Sequence, residues 1–117
     1  MRIAEAIVSG DFSAFGEVLE PDALWIGALP GQVCRGRAEI VGMFERAAAA
    51  GRRTRPEILA EGDGVLVVDP HVEPRAELNP ALHQVVVHDG ESVTEIRDYP
   101  DRASALAAFE RLRELYG

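Results

Sequence analysis

The chain predicts an α+β fold in which a curved sheet wraps around helices, and three observations carry that expectation. Hairpin chemistry occurs twice: Gly62-Asp63-Gly64 separates two extended segments, and Asp89-Gly90 joins LHQVVVH to ESVTEIRDY. The helical segments are segregated from these hairpins instead of alternating with them, which is the pattern of α+β folds. After the second hairpin comes one acid, Asp98, and then an amphipathic helix, which sets a polar group in an otherwise apolar hollow.

Residues 2–9 read as a short helix stopped by Ser9-Gly10. Asp11 can cap a second helix, DFSAFGEVLE, because its carboxylate accepts free N–H groups of the first turn. Pro21-Asp22 is expected to end that helix. ALWIGAL (23–29) is a strand-like apolar run, and residues 30–37 read as a Gly-rich loop. AEIVGMFERAAAA (38–50) places Ile40, Val41, Phe44 and Ala47 at helical spacing, with Gly51 closing it. Segments 56–62, 64–70, 82–88 and 91–99 read as strands. A loop carrying Pro70, Pro74 and Pro80 interrupts them. Asp101 caps a final helix with Leu106, Phe109 and Leu112 facing one way.

Composition bounds the function. At 117 residues the chain suits one domain, 1–117, and 47% hydrophobic content supports a real core. A net charge of −8 repels phosphate backbones and anionic lipid, so no nucleic acid or membrane partner is expected. All basic residues are arginine, which rules out lysine Schiff-base chemistry. The single cysteine, Cys34, cannot form an intrachain disulfide. The N-terminus does not read as a signal peptide, and no run approaches ~18 apolar residues, so a cytoplasmic protein is expected.

The Asp89-Gly90 hairpin locates a candidate site. A two-residue turn would oppose His88 to Glu91, Val86 to Val93, His83 to Ile96 and Ala81 to Asp98. Alternate residues switch faces. One face would then carry His83, Val85, Val87, Thr94, Ile96 and Asp98. The other would carry Gln84, Val86, His88, Val93, Glu95, Arg97 and Tyr99, turned toward solvent or a partner subunit. His83 and Asp98 would be diagonal neighbours. A carboxylate in an apolar hollow has its pKa raised by desolvation, and a nearby His⁺ would lower it. That is the tension a catalytic acid or base uses. The same Asp98 could instead cap the last helix, and His83 could simply be satisfied in place. Trp25 and Phe44, with Val85 and Ile96, would form the apolar walls. Tyr99 would either reach the pocket rim or lie under the last helix.

Taken together, SGDFSAFGEVLEPDALWIG, CRGRAEIVGMFERA and HQVVVHDGESVTEIRDYPDRASAL resemble the nuclear transport factor 2-like superfamily, in particular its SnoaL-like branch. The resemblance implies a cone-shaped sheet of mixed strands around three to four helices (a cystatin-like α+β barrel), a deep apolar pocket, and a homodimer through the sheet's outer face. The superfamily includes ketosteroid isomerases, polyketide cyclases and limonene epoxide hydrolases. EIRDYPD is similar to the hydrolase segment that carries a pocket aspartate, which would match Asp98. That enzyme's arginine and second aspartate have no counterpart at Val65 and Val67, and the isomerase Tyr-Asp pair has none either. The first helix is shorter than in relatives, which implies a more open pocket or a partner that covers it.

Other constellations carry less. GQVCRGRA lacks the lysine and Ser/Thr of a phosphate loop. His71, His83 and His88 lack ligand spacing, so no metal is expected, and no cofactor is implied. Cys34 reads as a small core hydrophobe. Two hypotheses remain. One is a cofactor-free enzyme acting on an apolar small molecule through Asp98 and His83. The other is a non-catalytic ligand-binding or dimerisation module.

Overall fold

The structure, a computed structural model, describes residues 2–73 and 82–116. Helix α1 (Arg2–Ser9) buries Ile3, Ala6 and Ile7 on one stripe and turns at Gly10, whose φ is +69°. Asp11 caps α2 (Phe12–Val18): its Oδ1 accepts from the Ser13 N–H at 2.9 Å. Helix α2 stops two residues earlier than its sequence suggests, because Leu19 already belongs to β1 (Leu19–Ile26). Pro21 is tolerated within that strand because the ladder to its neighbour slips between Leu19 and Leu24, so its missing N–H costs no sheet bond.

The segment read as a Gly-rich loop contains a strand, β2 (Val33–Arg35), which pairs antiparallel with Leu24, Trp25 and Ile26. Gly36 then turns the chain into α3 (Arg37–Ala49) with φ +91°, and a Cβ there would meet the Pro21 carbonyl oxygen at 3.2 Å. Arg37 fastens the start of α3 by donating from Nε to the Leu19 carbonyl at 3.0 Å. The remaining elements fall where the sequence places them: β3 (Glu57–Gly62), β4 (Val65–Asp69), β5 (His83–His88), β6 (Val93–Tyr99) and α4 (Arg102–Tyr116). Asp101 Oδ1 accepts from the Ser104 N–H at 2.7 Å, so it is Asp101, and not Asp98, that caps α4. The proline loop is described only as far as Glu73. Its remainder, and Ala81 expected opposite Asp98, lie outside the described residues.

The six strands form one open, mixed sheet in the order β2-β1-β6-β5-β4-β3, with only β1 and β6 parallel. Two apolar layers flank it. Ile3, Val18, Leu19, Trp25, Leu66, Val68, Val86, Val93 and Ile96 pack with α1–α3 on one side. Val65, Val67 and Val85 pack against Ala105, Ala108 and Phe109 of α4 on the other. The alternation along β4 shows the period-2 logic directly: Leu66 and Val68 face one layer, Val65 and Val67 the other.

The β5–β6 register differs from the two-residue-turn expectation. Asp89 Oδ1 accepts from the N–H groups of both Glu91 and Ser92, and the Asp89 N–H bonds the Ser92 carbonyl. The turn therefore spans Asp89 to Ser92. A bulge between Val87 and His88 adds a further slip. Val86 pairs with Ile96 instead of Val93, a displacement of three residues. An odd displacement exchanges the faces of one strand relative to the other. Gln84, Val86 and His88 thus share a face with Ile96 and Asp98, while His83 and Val85 share one with Tyr99 and Arg97. The outer face expected to meet solvent or a partner subunit is covered, over β4, β5 and β6, by the chain's own α4.

Candidate functional site

A cavity of about 210 Å³ opens between α1–α3 and the inner face of the sheet. Its walls are mostly apolar. Phe12 and Phe15, one helical turn apart on α2, meet Phe44 of α3: the Phe12 and Phe44 rings stack at 4.9 Å, and Phe15 meets Phe44 edge-on at 5.5 Å. Trp25 on β1 meets Phe44 edge-to-face at 5.0 Å. Met43, Val68 and Leu82 add to the apolar lining, and the exposed Asp11 and Arg52 stand at the rim.

Asp98 enters this cavity from β6. The parallel register sets Trp25 beside Ile96, and the indole N–H of Trp25 donates to Asp98 Oδ2 at 2.9 Å. The other carboxyl oxygen, Oδ1, is shut off from solvent and bonds no group among the described residues. Burial pushes the Asp98 pKa up from 3.8 to about 6; the Trp25 hydrogen bond and the nearby Gln84 amide pull it down by less. Gln84 is the cross-strand partner of Asp98, close enough to act on its charge but not in hydrogen-bonding geometry with Oδ1.

The residues singled out in the sequence divide three ways. Trp25, Phe44 and Asp98 line the cavity together. Ile96 lies on the same side but is 1% exposed within the core, so it supports the wall without lining it. His83 and Val85 are on the opposite face, against α4, because the register moved them there, while Tyr99, opposite in face to Asp98 in either register, lies under α4, one of the two places expected for it. His83 Nε2 sits 3.6 Å from Asp69 Oδ2, an oxygen that also faces His71 Nε2 at 3.4 Å, and it does not meet Asp98. Phe12, Phe15 and Gln84 were not singled out from the sequence. The i, i+3 spacing of the two phenylalanines was the available signal for the first two, while Gln84 was hidden by the register.

The strand position expected to face the pocket also changes. Val65 and Val67 point toward α4, and the inward residues of β4 are Leu66 and Val68. Among the described lining residues the ionisable groups are Asp98, Asp11 and Arg52. Cys34 packs with its Sγ 3.7 Å from Met43 Sδ, and burial pushes its thiol up, with Glu39 adding to the effect, which disfavours the thiolate. Among the described residues no group of three or more His, Cys, Asp or Glu is arranged around a metal position, and no helix is long and apolar enough to cross a membrane.

Comparison with known proteins agrees with this architecture. The chain is similar in structure to a candidate polyketide cyclase from Sinorhizobium meliloti, at 21% identity and TM-score 0.60, over 81% of this chain and 87% of that one. It is similar to a nuclear transport factor 2-like protein of unknown function from Cytophaga hutchinsonii, at 16% identity and TM-score 0.63, over 83% and 91%. It also resembles a protein of ketosteroid isomerase-like fold from Catenulispora acidiphila, solved with trimethylamine, at 18% identity and TM-score 0.58, over 90% and 85%. At these identities the likeness speaks to fold. No curated protein matches the chain. The SnoaL-like domain profile matches residues 2–106, nearly the whole length that builds the sheet and its cavity, and the chain therefore belongs to the SnoaL-like domain family.

Proposed function

We propose that the protein binds a small, largely apolar molecule in the cavity beneath α1–α3, and that Asp98 exchanges a proton with it without a cofactor. The observation that carries this reading is the state of Asp98: one oxygen is held by Trp25, and the other is closed off from solvent with no bonding partner among the described residues. A desolvated carboxyl near pKa 6 switches protonation state close to neutral pH, the condition for general acid or base catalysis. Isomerisation, cyclisation and hydrolysis are all compatible with such a group. Asp98 is the proton-transfer residue in this reading, and Trp25 positions it. His83, on the far face, has no part in it.

A second reading follows from a specific observation. No other ionisable group enters the cavity beyond the rim among the described residues, so none of them inside shares the proton with Asp98. A site of that kind can hold a ligand without transforming it. A homodimer would fit either reading, but with α4 over the outer face it would have to use other surface, such as Leu29 and Val33 (62% and 40% exposed) by the β1–β2 hairpin.

The test is α-proton exchange. Small apolar enolisable ketones are incubated with the protein in D₂O and followed by proton NMR. General-base catalysis predicts acceleration of about 100-fold or more over buffer, a rate that rises through about pH 6 and is lost in Asp98→Asn. Binding without exchange would leave the non-catalytic reading, and absence of both would sink the pocket assignment itself.

A further inference from the structure

Resting on the reading of this cavity as a ligand pocket, we infer that its ligand is a hydrophobic amine in the protonated form, with an N–H directed at the Asp98 carboxylate and its carbon substituents against Trp25 and the phenylalanine cluster. Three features of the cavity argue for a cation over a neutral molecule. First, the Asp98 carboxylate lines the cavity with one hydrogen bond among the described residues, from Trp25, and a cationic donor adds a Coulombic attraction to it that a neutral donor lacks. Second, the carboxyl is placed against aromatic rings. Trp25 touches it through its indole nitrogen, and Phe44 lies 5.0 Å from Trp25, with Phe12 and Phe15 packed on Phe44. Rings of this kind attract cations through their electron-rich faces, tryptophan most of all, and the attraction grows where water is excluded. Third, among the described lining residues no cationic side chain competes inside. Arg52 is the basic residue of the lining, and it is exposed at the rim with Asp11. The net charge of −8 further favours cation entry.

The geometry also limits the amine. A cavity of about 210 Å³ lies below the usual range of ligand sites, which starts near 300 Å³, so a single ring or a short branched chain is the expected size. A carboxylate already held by the Trp25 N–H asks for one further donor, which a tertiary ammonium supplies while leaving its remaining surface apolar. A quaternary ammonium keeps the charge but cannot donate.

Matched probes separate these contributions. N,N-dimethylbenzylamine, protonated at neutral pH, and isobutylbenzene share a shape and differ in charge and N–H. Trp25, the only tryptophan, reports binding by fluorescence. The amine is expected to bind at least about tenfold tighter than the hydrocarbon at pH 7.5, the gain of a hydrogen bond to a charged group. Asp98→Asn should erase that gain and leave isobutylbenzene within about twofold. In the wild type, independently of any variant, amine affinity should fall about tenfold from pH 7.5 to 5 as Asp98 takes up its proton, while hydrocarbon affinity stays level. Benzyltrimethylammonium should bind more weakly than the tertiary amine. If isobutylbenzene binds as tightly as the amine, the amine assignment is overturned and the apolar pocket stands. If neither probe perturbs Trp25 at millimolar concentration, the pocket reading falls and the amine assignment with it.

Discussion

Replacing Asp98 by Asn removes the charge and keeps the shape, so it isolates what desolvation costs. In the unfolded chain the carboxyl titrates near 3.8, and in the fold near 6. Below pH 3.8 the group is neutral in both states and its burial carries no charge penalty. Between about pH 4 and 6 the native state holds a proton that the unfolded state has lost, so stability falls as pH rises through this window. Above pH 6 the native carboxylate is ionised in the cavity and the cost is complete. A shift of about two pH units at about 1.4 kcal/mol per unit gives about 3 kcal/mol, an upper figure because the residue keeps some solvent access. Asparagine retains an acceptor for the Trp25 N–H and adds an amide donor whose burial cost does not vary with pH. Urea denaturation followed by far-UV circular dichroism, for both proteins from pH 3.5 to 8, reads the difference. The wild type should lose about 3 kcal/mol relative to Asp98→Asn across that range, most of it between pH 4 and 6. A flat difference, or a wild type that gains on the variant as pH rises from 4 to 6, would refute the desolvated carboxyl. The acid/base reading would go with it.

The remaining predictions concern the groups around that acid and the packing of the sheet. Trp25→Phe leaves Oδ2 without its donor, so the Asp98 pKa measured by carboxyl NMR should rise above about 6, and stability at pH 7.5 should fall by about 1–3 kcal/mol, with a smaller loss at pH 5 where Asp98 is protonated. His88 is 8% exposed, and its Nδ1 accepts the Gly90 N–H, so the neutral ring carries its proton on the buried Nε2, which has no partner among the described residues. Burial lowers its pKa below 6.5, with Asp89 opposing, so the unfolded state binds a proton that the native state resists and stability drops as pH falls below 6.5. His88→Gln should lose less stability than the wild type on acidification from pH 7 to 5, as read by thermal melts, and an unchanged loss would assign the acid sensitivity elsewhere. Phe109 of α4, 3% exposed against Val65, Val67 and Val85, should cost about 3–5 kcal/mol on truncation to Ala in chemical denaturation. A loss under 1 kcal/mol would mean that α4 does not cover the sheet in solution.

Much of the fold was legible in the sequence because it is written in short-range chemistry. Asp11 and Asp101 announce the helices they cap, since a carboxylate needs only the next turn's N–H groups to do so. Gly10 turns α1 into α2, Gly62-Asp63-Gly64 separates β3 from β4, and the run of valines in β5 needs two apolar faces. Trp25, Phe44 and Asp98 could be named as pocket residues because each is an unusual residue type for its place in the pattern. The face each strand residue occupies was not legible, because it depends on pairing across the sheet. The Asp-Gly dipeptide suits a two-residue turn, yet the Asp89 side chain closes a longer one by accepting from Glu91 and Ser92, and the bulge beside it adds its own slip. A displacement of three residues, being odd, sent His83 and Val85 to α4 and brought Gln84 inward. The strand-like start of β1 at Leu19 and the short β2 were hidden for the same reason: each exists through hydrogen bonds to a distant strand and not through its own propensity. The sequence by itself determined the capped helices, the two hairpins, their order and the acid in the hollow. Only the tertiary structure decided which side chains meet that acid, because register is a contest between whole apolar faces, settled when the two layers of the sheet pack.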